Sequence, residues 1–294
     1  MATKSTVSPL IVIIGETASG KTALALELAE RFNGEIICAD SRTVYRYMDI
    51  GTAKPTPEER ARIPHHLLDV VAPDQSFSAA AFQRLANEAI DDILNRGKLP
   101  IMVGGTGLYI DAVLFDFKFR APANAELRQE LSELSVEELQ ERIIETGLEL
   151  PENDRNPRHL MRVIATNGEL AEHKPLRENT LVIGLKIDRE ILRERVEARA
   201  DAMVAGGFVD ELQSLVDAYG WNAPALQAPG YKAFRGYLEG TISLDDAKAL
   251  FATNDLQLAK RQRTWFKRNN SIQWIENRGQ TVDITTTFLS KISK

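Results

Sequence analysis

Cysteine and histidine are nearly missing from this sequence, with one Cys (Cys38) and four His in 294 residues. A single thiol excludes an intramolecular disulfide and any cysteine-rich zinc module. Four histidines, at 65, 66, 159 and 173, leave little for a metal cage. Positive charge is in deficit: 36 Lys and Arg stand against 42 Asp and Glu, a net of −6. The chain is therefore not a generally basic nucleic-acid coat, and any such site must be a local patch. No apolar run approaches the ~20 residues of a membrane span. Residues Met1 to Ser8 are polar and lack a signal-like apolar stretch. No membrane association is expected, and the expected compartment is the cytoplasm. Internal repeats and low-complexity segments are absent too. What remains is the ordinary composition of a folded protein, 44% hydrophobic and 27% charged, with enough chain for one large domain or a core carrying an insertion.

Against this background one stretch stands out. Leu10-Ile11-Val12-Ile13-Ile14 reads as a buried strand. It runs into Gly15-Glu16-Thr17-Ala18-Ser19-Gly20-Lys21-Thr22, a Gly-x-x-x-x-Gly-Lys-Thr phosphate-binding loop, and then into a helix. Glycines let backbone N–H groups converge on an anion, and the helix N-terminus adds partial positive charge. Lys21 adds a full charge, and the Thr22 hydroxyl is placed to reach a metal ion, Mg²⁺.

The remaining chain alternates strands and helices. The first helix is expected to run to about Phe32, with Asn33-Gly34 as its cap. Glu35–Ala39 is a second strand ending in Asp40-Ser41. Ligands of open parallel sheets sit beyond the carboxyl ends of the strands, which puts Asp40 at the rim of the phosphate loop. Residues 41 to 64 read as irregular, with Pro55 and Pro57 against regular structure. Ser78 caps a helix to Asn95. Leu99–Val103 is a third strand, and Gly104-Gly105-Thr106-Gly107 forms a second glycine-rich turn at its end. Residues 124 to 168 hold three consecutive helices without a strand (125–134, 136–146 and 157–166), the texture of a helical insertion. Thr180–Ile187 is a fourth strand, followed by a helix bearing Arg193, Arg195 and Arg199. Gln227–Lys232 is a turn, Ser243 opens a long final helix, and Ile272–Ile275 is a fifth strand. The fold expected is α/β: a P-loop NTPase-like parallel sheet flanked by helices, its core built from 1–117 and 178–294, with an all-helical insertion domain at 118–177.

Two basic clusters interrupt the acidic whole. Arg158 and Arg162 share a helix face. Five of the nine residues from Lys260 to Arg268 are basic, interleaved with Trp265 and Phe266. Either cluster reads as a solvated helix face or as a phosphate-contacting edge.

Taken together, the sequence resembles the tRNA dimethylallyltransferase (tRNA isopentenyltransferase) family. The stretches that carry the resemblance are the Gly15–Thr22 loop, Asp40-Ser41, Asp49-Ile50-Gly51-Thr52-Ala53-Lys54-Pro55, Pro64–Asp69, Val103–Tyr109, Asn156-Pro157-Arg158 with Arg162, and Ala259-Lys260-Arg261-Gln262-Arg263-Thr264-Trp265-Phe266. They span residues 10 to 268. Departures from the family's pattern are Glu16 in place of proline, Arg46-Tyr47 in place of a glycine, and Pro229 in place of an aliphatic residue. The Glu16 side chain is expected to point outward, since backbone amides bind the anion.

The resemblance implies transfer of a dimethylallyl group from dimethylallyl diphosphate to N6 of the adenosine immediately 3′ of the tRNA anticodon, releasing diphosphate. It implies a monomer that binds the anticodon stem-loop and uses Mg²⁺ at Thr22. The amides of residues 17 to 22 with Lys21 would hold the diphosphate, Thr17 and Arg199 would grip the leaving group, and Asp40 would accept the proton. Residues carried over as tRNA contacts are Asp40, Ser41, Arg42, Thr43, Thr106, Arg128, Arg158, His159, Leu160, Met161, Arg162, Gln227, Ala228, Pro229, Gly230, Tyr231 and Lys232. The Lys260–Arg268 helix is a further candidate for the tRNA backbone. Rival readings are a small-molecule kinase that binds ATP in the same nucleotide-binding loop, a prenyltransferase acting on free adenine nucleotides, and an RNA-binding module with a decayed loop.

Overall fold

The computed structural model describes residues 8–119, 125–169 and 174–292. Two compact units divide the chain: Met1–Leu114 with Leu176–Lys294, and Phe115–Pro175 between them. The sequence set that insertion at 118–177.

The larger unit is a six-stranded sheet, parallel throughout, in the order β3-β2-β4-β1-β5-β6. Its strands are β1 (Leu10–Gly15), β2 (Gly34–Ala39), β3 (His65–His66), β4 (Leu99–Gly104), β5 (Thr180–Leu185) and β6 (Ile272–Ile275). The three central ones are buried along their whole length, as the continuous β-branched run of β1 demands. Helices α1 (Lys21–Arg31), α2 (Pro57–Arg62), α3 (Ala79–Asn95) and α4 (Gly107–Leu114) connect the first strands. The smaller unit holds α5 (Ala125–Glu133), α6 (Val136–Glu145) and α7 (Pro157–Ala165). After β5 come α8 (Arg189–Ala205), α9 (Phe208–Tyr219), the short α10 (Pro229–Ala233) and α11 (Arg235–Leu238), the long α12 (Leu244–Phe266) and, after β6, α13 (Gln280–Ile292).

Local signals explain most of these limits. Ser78 caps α3 by accepting the Ala81 N–H. Ser135 and Glu138 close a reciprocal capping box on α6. Asn156 caps α7 ahead of Pro157, whose missing N–H costs nothing in a first turn. Two expectations need correcting on the same grounds. The stretch 41 to 64 is not wholly irregular: Thr56 and Glu59 form a capping box, and Pro57 begins α2 rather than preventing it. Likewise Pro229 opens α10, so Gln227–Lys232 is a turn only as far as Ala228. In the helical unit Leu160 is fully buried with Leu131, Leu139 and Ile143. It is a core residue, not an RNA contact, while its neighbours Arg158, His159 and Arg162 are exposed.

At the edge of the sheet remote from the phosphate loop lies a buried carboxylate. Glu35, near the start of β2, has its side chain 1% exposed. It accepts two bonds from Arg96, one from Lys98 at 2.8 Å and one from His66 Nε2 at 2.7 Å. It thereby ties the end of α3 and the starts of β4 and β3 together. The Arg96 hydrogen bonds hold its carboxyl far below the usual range, against the opposing effect of burial. A group depressed in the folded state stabilises above its ordinary value of 4.5 and loses that contribution as pH falls below it. Glu35→Gln is therefore expected to cost about 2 kcal/mol at neutral pH. In urea melts, the gap from the parent should narrow steadily below pH 4.5.

Candidate active site

The carboxyl ends of β2, β4 and β1 are flush, Gly104 pairing with Ala39 on one side and Ile14 on the other. The turns that follow them open into one cavity of about 620 Å³. Its wall includes Thr17, Lys21 and Thr22 from the first loop, Asp40 to Thr43, Gly104 to Gly107, and Arg199, Asp255 and Gln262 from the helices above.

The phosphate loop makes its turn through left-handed backbone at Ala18 (φ 56°) and Gly20 (φ 89°). Not every amide expected to face an anion does so. The Thr17 N–H is donated to Gln262 Oε1 at 2.8 Å, and the Ser19 N–H to the Glu16 carbonyl at 3.2 Å. The amides of Ala18 and Gly20 and the first turn of α1 at Lys21 and Thr22 are left for the ligand. Loop carbonyls point the other way, onto cations: Ser19 O accepts from Arg278 at 3.0 Å and Ala18 O from Arg195 at 3.3 Å. Lys21 Nζ rests on the Glu16 carbonyl. Burial pushes the Lys21 ammonium down to about 8, and only the Asp40 and Glu16 carboxylates oppose that.

Glu16 does not point outward. Its carboxylate is buried, the residue being 6% exposed, and it takes a two-pronged grip from Arg263 of α12 (Nε to Oε1 at 2.5 Å, Nη2 to Oε2 at 2.8 Å). The charge that would repel an anion is cancelled by a guanidinium 247 residues away in sequence.

Arg199 reaches the loop from α8. Its Nη1 donates to Thr17 Oγ1 at 2.9 Å and lies 3.6 Å from Asp255 Oδ2. Burial pushes the Asp255 carboxyl up, against the pull of Arg199. Asp255 Oδ2 and Arg199 Nε are both buried, and neither has a hydrogen-bond partner among the described residues.

Across the cavity, Asp40 is oriented by the Arg42 N–H, which donates to its Oδ1 at 2.7 Å. The Ser41 N–H donates to Thr106 Oγ1 at 3.0 Å, and the Thr106 N–H to Ala39 O at 3.3 Å, so the second and third turns brace each other. Thr43 is buried beside them. Cys38 lines the cavity below, its thiol pushed up to about 12 by burial and so inert.

The Asp49–Pro55 motif is a brace rather than a reacting group. Lys54 is buried and donates to Tyr45 O, Asp49 Oδ1 and Asp69 Oδ1 within 2.8 Å. Glu211 of α9 accepts the N–H groups of Asp49, Ile50 and Gly51 together with the Tyr231 hydroxyl. Tyr231 is 2% exposed and Ala228 5%. Within 227–232 only Gln227, Pro229 and Lys232 are exposed. The helix expected through Arg268 ends at Phe266: Lys260 and Arg261 on α12 and Lys267 and Arg268 in the turn after it are exposed, and Arg268 stacks over Trp265, whose indole donates to Asp111. Arg158, His159, Met161 and Arg162 lie in the helical unit and are described there alone. Arg128 falls on α5, its side chain outside the described residues, as His173 is entirely.

Sequence reasoning gave no working role to Gln262, Asp255 or Glu211, and it counted Arg263 in the basic cluster offered to the tRNA backbone, whereas Arg263 turns to the loop and pairs with Glu16. The available signal was polar residues on an inward helical face: Asp255, Ala259, Gln262 and Phe266 recur every three to four positions, all buried.

Comparison with known proteins agrees with this architecture. The family model described as IPP transferase matches residues 43–269. A "tRNA dimethylallyltransferase" of Roseiflexus sp. (strain RS-1) is 43% identical over 277 residues, covering 88% of this chain and 90% of that one. A "tRNA dimethylallyltransferase 2" of Geotalea uraniireducens is 44% identical over 284 residues, covering 91% and 92%. The crystal structure of a full-length tRNA isopentenylpyrophosphate transferase from Bacillus halodurans superposes with a TM-score of 0.76 at 35% identity, covering 97% and 98%. A eukaryotic dimethylallyltransferase acting on tRNA superposes at 0.81 with 26% identity, covering 97% of this chain and 80% of that one.

Two outcomes follow from the loop's charges. Removing Arg263 leaves Glu16 buried and unpaired. Arg263→Ala is expected to destabilise by about 3 kcal/mol, while the double replacement Glu16→Gln with Arg263→Gln stays within about 1 kcal/mol of the parent. Chemical unfolding of the three proteins checks this. An anion at Lys21 would be held by the ammonium form, whose lowered value puts the loss of that charge near pH 8. Calorimetry should find inorganic pyrophosphate bound about tenfold more weakly at pH 9 than at pH 7. Lys21→Arg should flatten that dependence.

Proposed function

The chain belongs to the IPP transferase family, and from that premise we propose that it transfers a dimethylallyl group from dimethylallyl diphosphate to N6 of the adenosine 3′ of the anticodon in tRNA. The observation that carries the reading is the pairing across one cavity of an anion grip (Lys21, Thr17, Arg199) with a carboxylate, Asp40, on the adjoining strand end. The allylic C–O bond breaks with its electron pair going to diphosphate, and the N6 lone pair forms the new C–N bond. The N6 proton passes to Asp40. Lys21, the free amides of the loop and Arg199 stabilise the charge growing on the leaving group.

Mg²⁺ suits this loop. Thr22 is exposed on the cavity wall, and among the described residues no three acidic, His or Cys side chains cluster into a cage. That fits a cation that arrives on the diphosphate and keeps much of its water. Thr22 would hold it, and when bound it offsets diphosphate charge.

Adenosine must leave the anticodon-loop stack to reach the cavity, so base extrusion belongs to the reading. Arg42 at the rim, the exposed Lys260 and Arg261 of α12 with Lys267 and Arg268 just past its end, and the exposed Arg158, His159 and Arg162 of the helical unit are the groups suited to RNA phosphates. No helix among the described residues is long and apolar enough to cross a membrane; a tRNA substrate goes with a cytoplasmic setting. The kinase alternative is disfavoured because β4 ends in Gly104-Gly105-Thr106-Gly107, without an acidic residue to hold a catalytic metal.

The test is mass analysis of tRNA nucleosides after incubation with dimethylallyl diphosphate and Mg²⁺. The parent should yield N6-dimethylallyladenosine. Asp40→Ala should lose at least ~10²-fold in rate with tRNA affinity within a few-fold. Collapse of tRNA affinity in that variant would make Asp40 a recognition residue, and labelled phosphate moving from ATP would restore the kinase.

A further inference from the structure

Gln262 is turned inward from α12 and is buried. Its carboxamide bonds to two turns that follow two different strands. Oε1 accepts the Thr17 N–H at 2.8 Å after β1, and Nε2 donates to the Gly105 carbonyl at 3.1 Å after β4. The partners fix which end of the amide is which, because an N–H needs an acceptor and a C=O needs a donor. A Cβ at position 105 would stand 2.2 Å from Gln262 Nε2, so a side chain there would turn the carboxamide away from the Gly105 carbonyl.

Beyond each bond lies one half of the proposed chemistry. Thr17 Oγ1 accepts from Arg199, on the leaving-group side. Gly105 precedes Thr106, whose Oγ1 takes the Ser41 N–H beside Asp40, on the proton-accepting side. The covalent path from residue 17 to residue 105 passes through α1, β2, α2, β3, α3 and β4. Gln262 replaces that path with one side chain.

We propose that Gln262 is a positioning residue that sets the separation between the allylic diphosphate and the Asp40 carboxylate, so that it governs the chemical step rather than the binding of either substrate. The inference rests on the prenyl-transfer reading above. Its physical basis is the steep dependence of such a step on distance: reacting atoms must sit within about 3–3.5 Å, and a misplacement of about 1 Å costs on the order of a hundredfold in rate. Losing Gln262 does not strip the anion grip. It frees the Thr17 amide, which becomes one more donor available to the diphosphate.

Two variants separate positioning from simple support. Gln262→Met keeps the length and removes both hydrogen bonds. Gln262→Asn keeps an uncharged carboxamide on a side chain one methylene shorter, which cannot span both turns. Four quantities are measured for each: melting temperature, affinity for inorganic pyrophosphate by calorimetry, affinity for tRNA, and the single-turnover rate of prenyl transfer at saturating substrates. The expected result is pyrophosphate and tRNA affinities within about threefold of the parent, or tighter for pyrophosphate in Gln262→Met. The single-turnover rate should fall on the order of 10- to 100-fold in both. The proposal is overturned if a folded variant reacts within threefold of the parent, whatever its melting temperature. It is overturned equally if the rate loss is matched by an equal loss of pyrophosphate affinity, which would make Gln262 part of the anion grip alone. Should Gln262→Met not fold, Gln262→Asn decides by the same criteria. A parent chain that binds pyrophosphate and transfers nothing to tRNA overturns the prenyl-transfer reading itself, an outcome distinct from an active parent with an equally fast variant.

Discussion

Position 104 has room for a hydrogen atom and no more: a Cβ there would stand 2.0 Å from the Ala39 carbonyl oxygen. That closeness lets β4 run between β1 and β2 with all three ending level. A parallel sheet sends every strand end to one edge, and here the three central ends are also flush. Their turns deliver Thr17, Asp40 and Thr106 to one cavity without any long loop having to fold over it. The hydrogen bonds between turns, from the Ser41 N–H to Thr106 Oγ1 and from the Thr106 N–H to Ala39 O, exist because the strands beneath are that close.

Buried charge is distributed by the same division into sheet edges. Glu35 at the far edge takes four hydrogen bonds, and Lys54 donates three. Glu16 takes the two of Arg263. Burying an ion is tolerable only when its partners are complete, and these three are saturated. Asp255 and Arg199 break the pattern, each with a buried atom lacking a partner among the described residues. Both lie on the cavity wall. Glu35 and Lys54, by contrast, have no capacity left and serve the fold alone.

Local signals were legible in the sequence and distant ones were not. The strand–loop–helix of residues 10–31, the caps at Ser78 and Ser243 and the placement of Asp40 at a strand end all follow from neighbouring residues. The helix Pro57–Arg62 was misjudged because two prolines were weighed above the Thr56–Glu59 capping box that surrounds one of them. Leu160 was carried over by position in a motif, and only the packing of three helices reveals it as core. The outward Glu16 failed for a deeper reason. Nothing near residue 16 tells of Arg263, and a carboxylate without its partner is read as solvent-exposed. Glu211, which gathers three amides of the Asp49–Gly51 turn, is hidden in the same way by the 160 to 162 residues between them.

α12 is where these threads meet, and its periodicity makes the meeting unavoidable. A helix that turns Ala259, Gln262 and Phe266 into the core presents Lys260 and Arg261 to solvent, since residues three and four apart share a face and their neighbours do not, and the turn just past its end exposes Lys267 and Arg268. Arg263, at the margin between the two faces, reaches the loop and cancels Glu16. Gln262 takes one amide out of the loop's anion-facing set, so the cations Lys21 and Arg199 carry more of the hold on a phosphate than the loop motif by itself would suggest. A loop braced in this way, with its acidic side chain neutralised and its grip shifted toward two side chains, is suited to holding a diphosphate still while chemistry proceeds at the carbon attached to it. The basic outer face and the loop-holding inner face are two consequences of one 23-residue rod, and neither can be moved without the other.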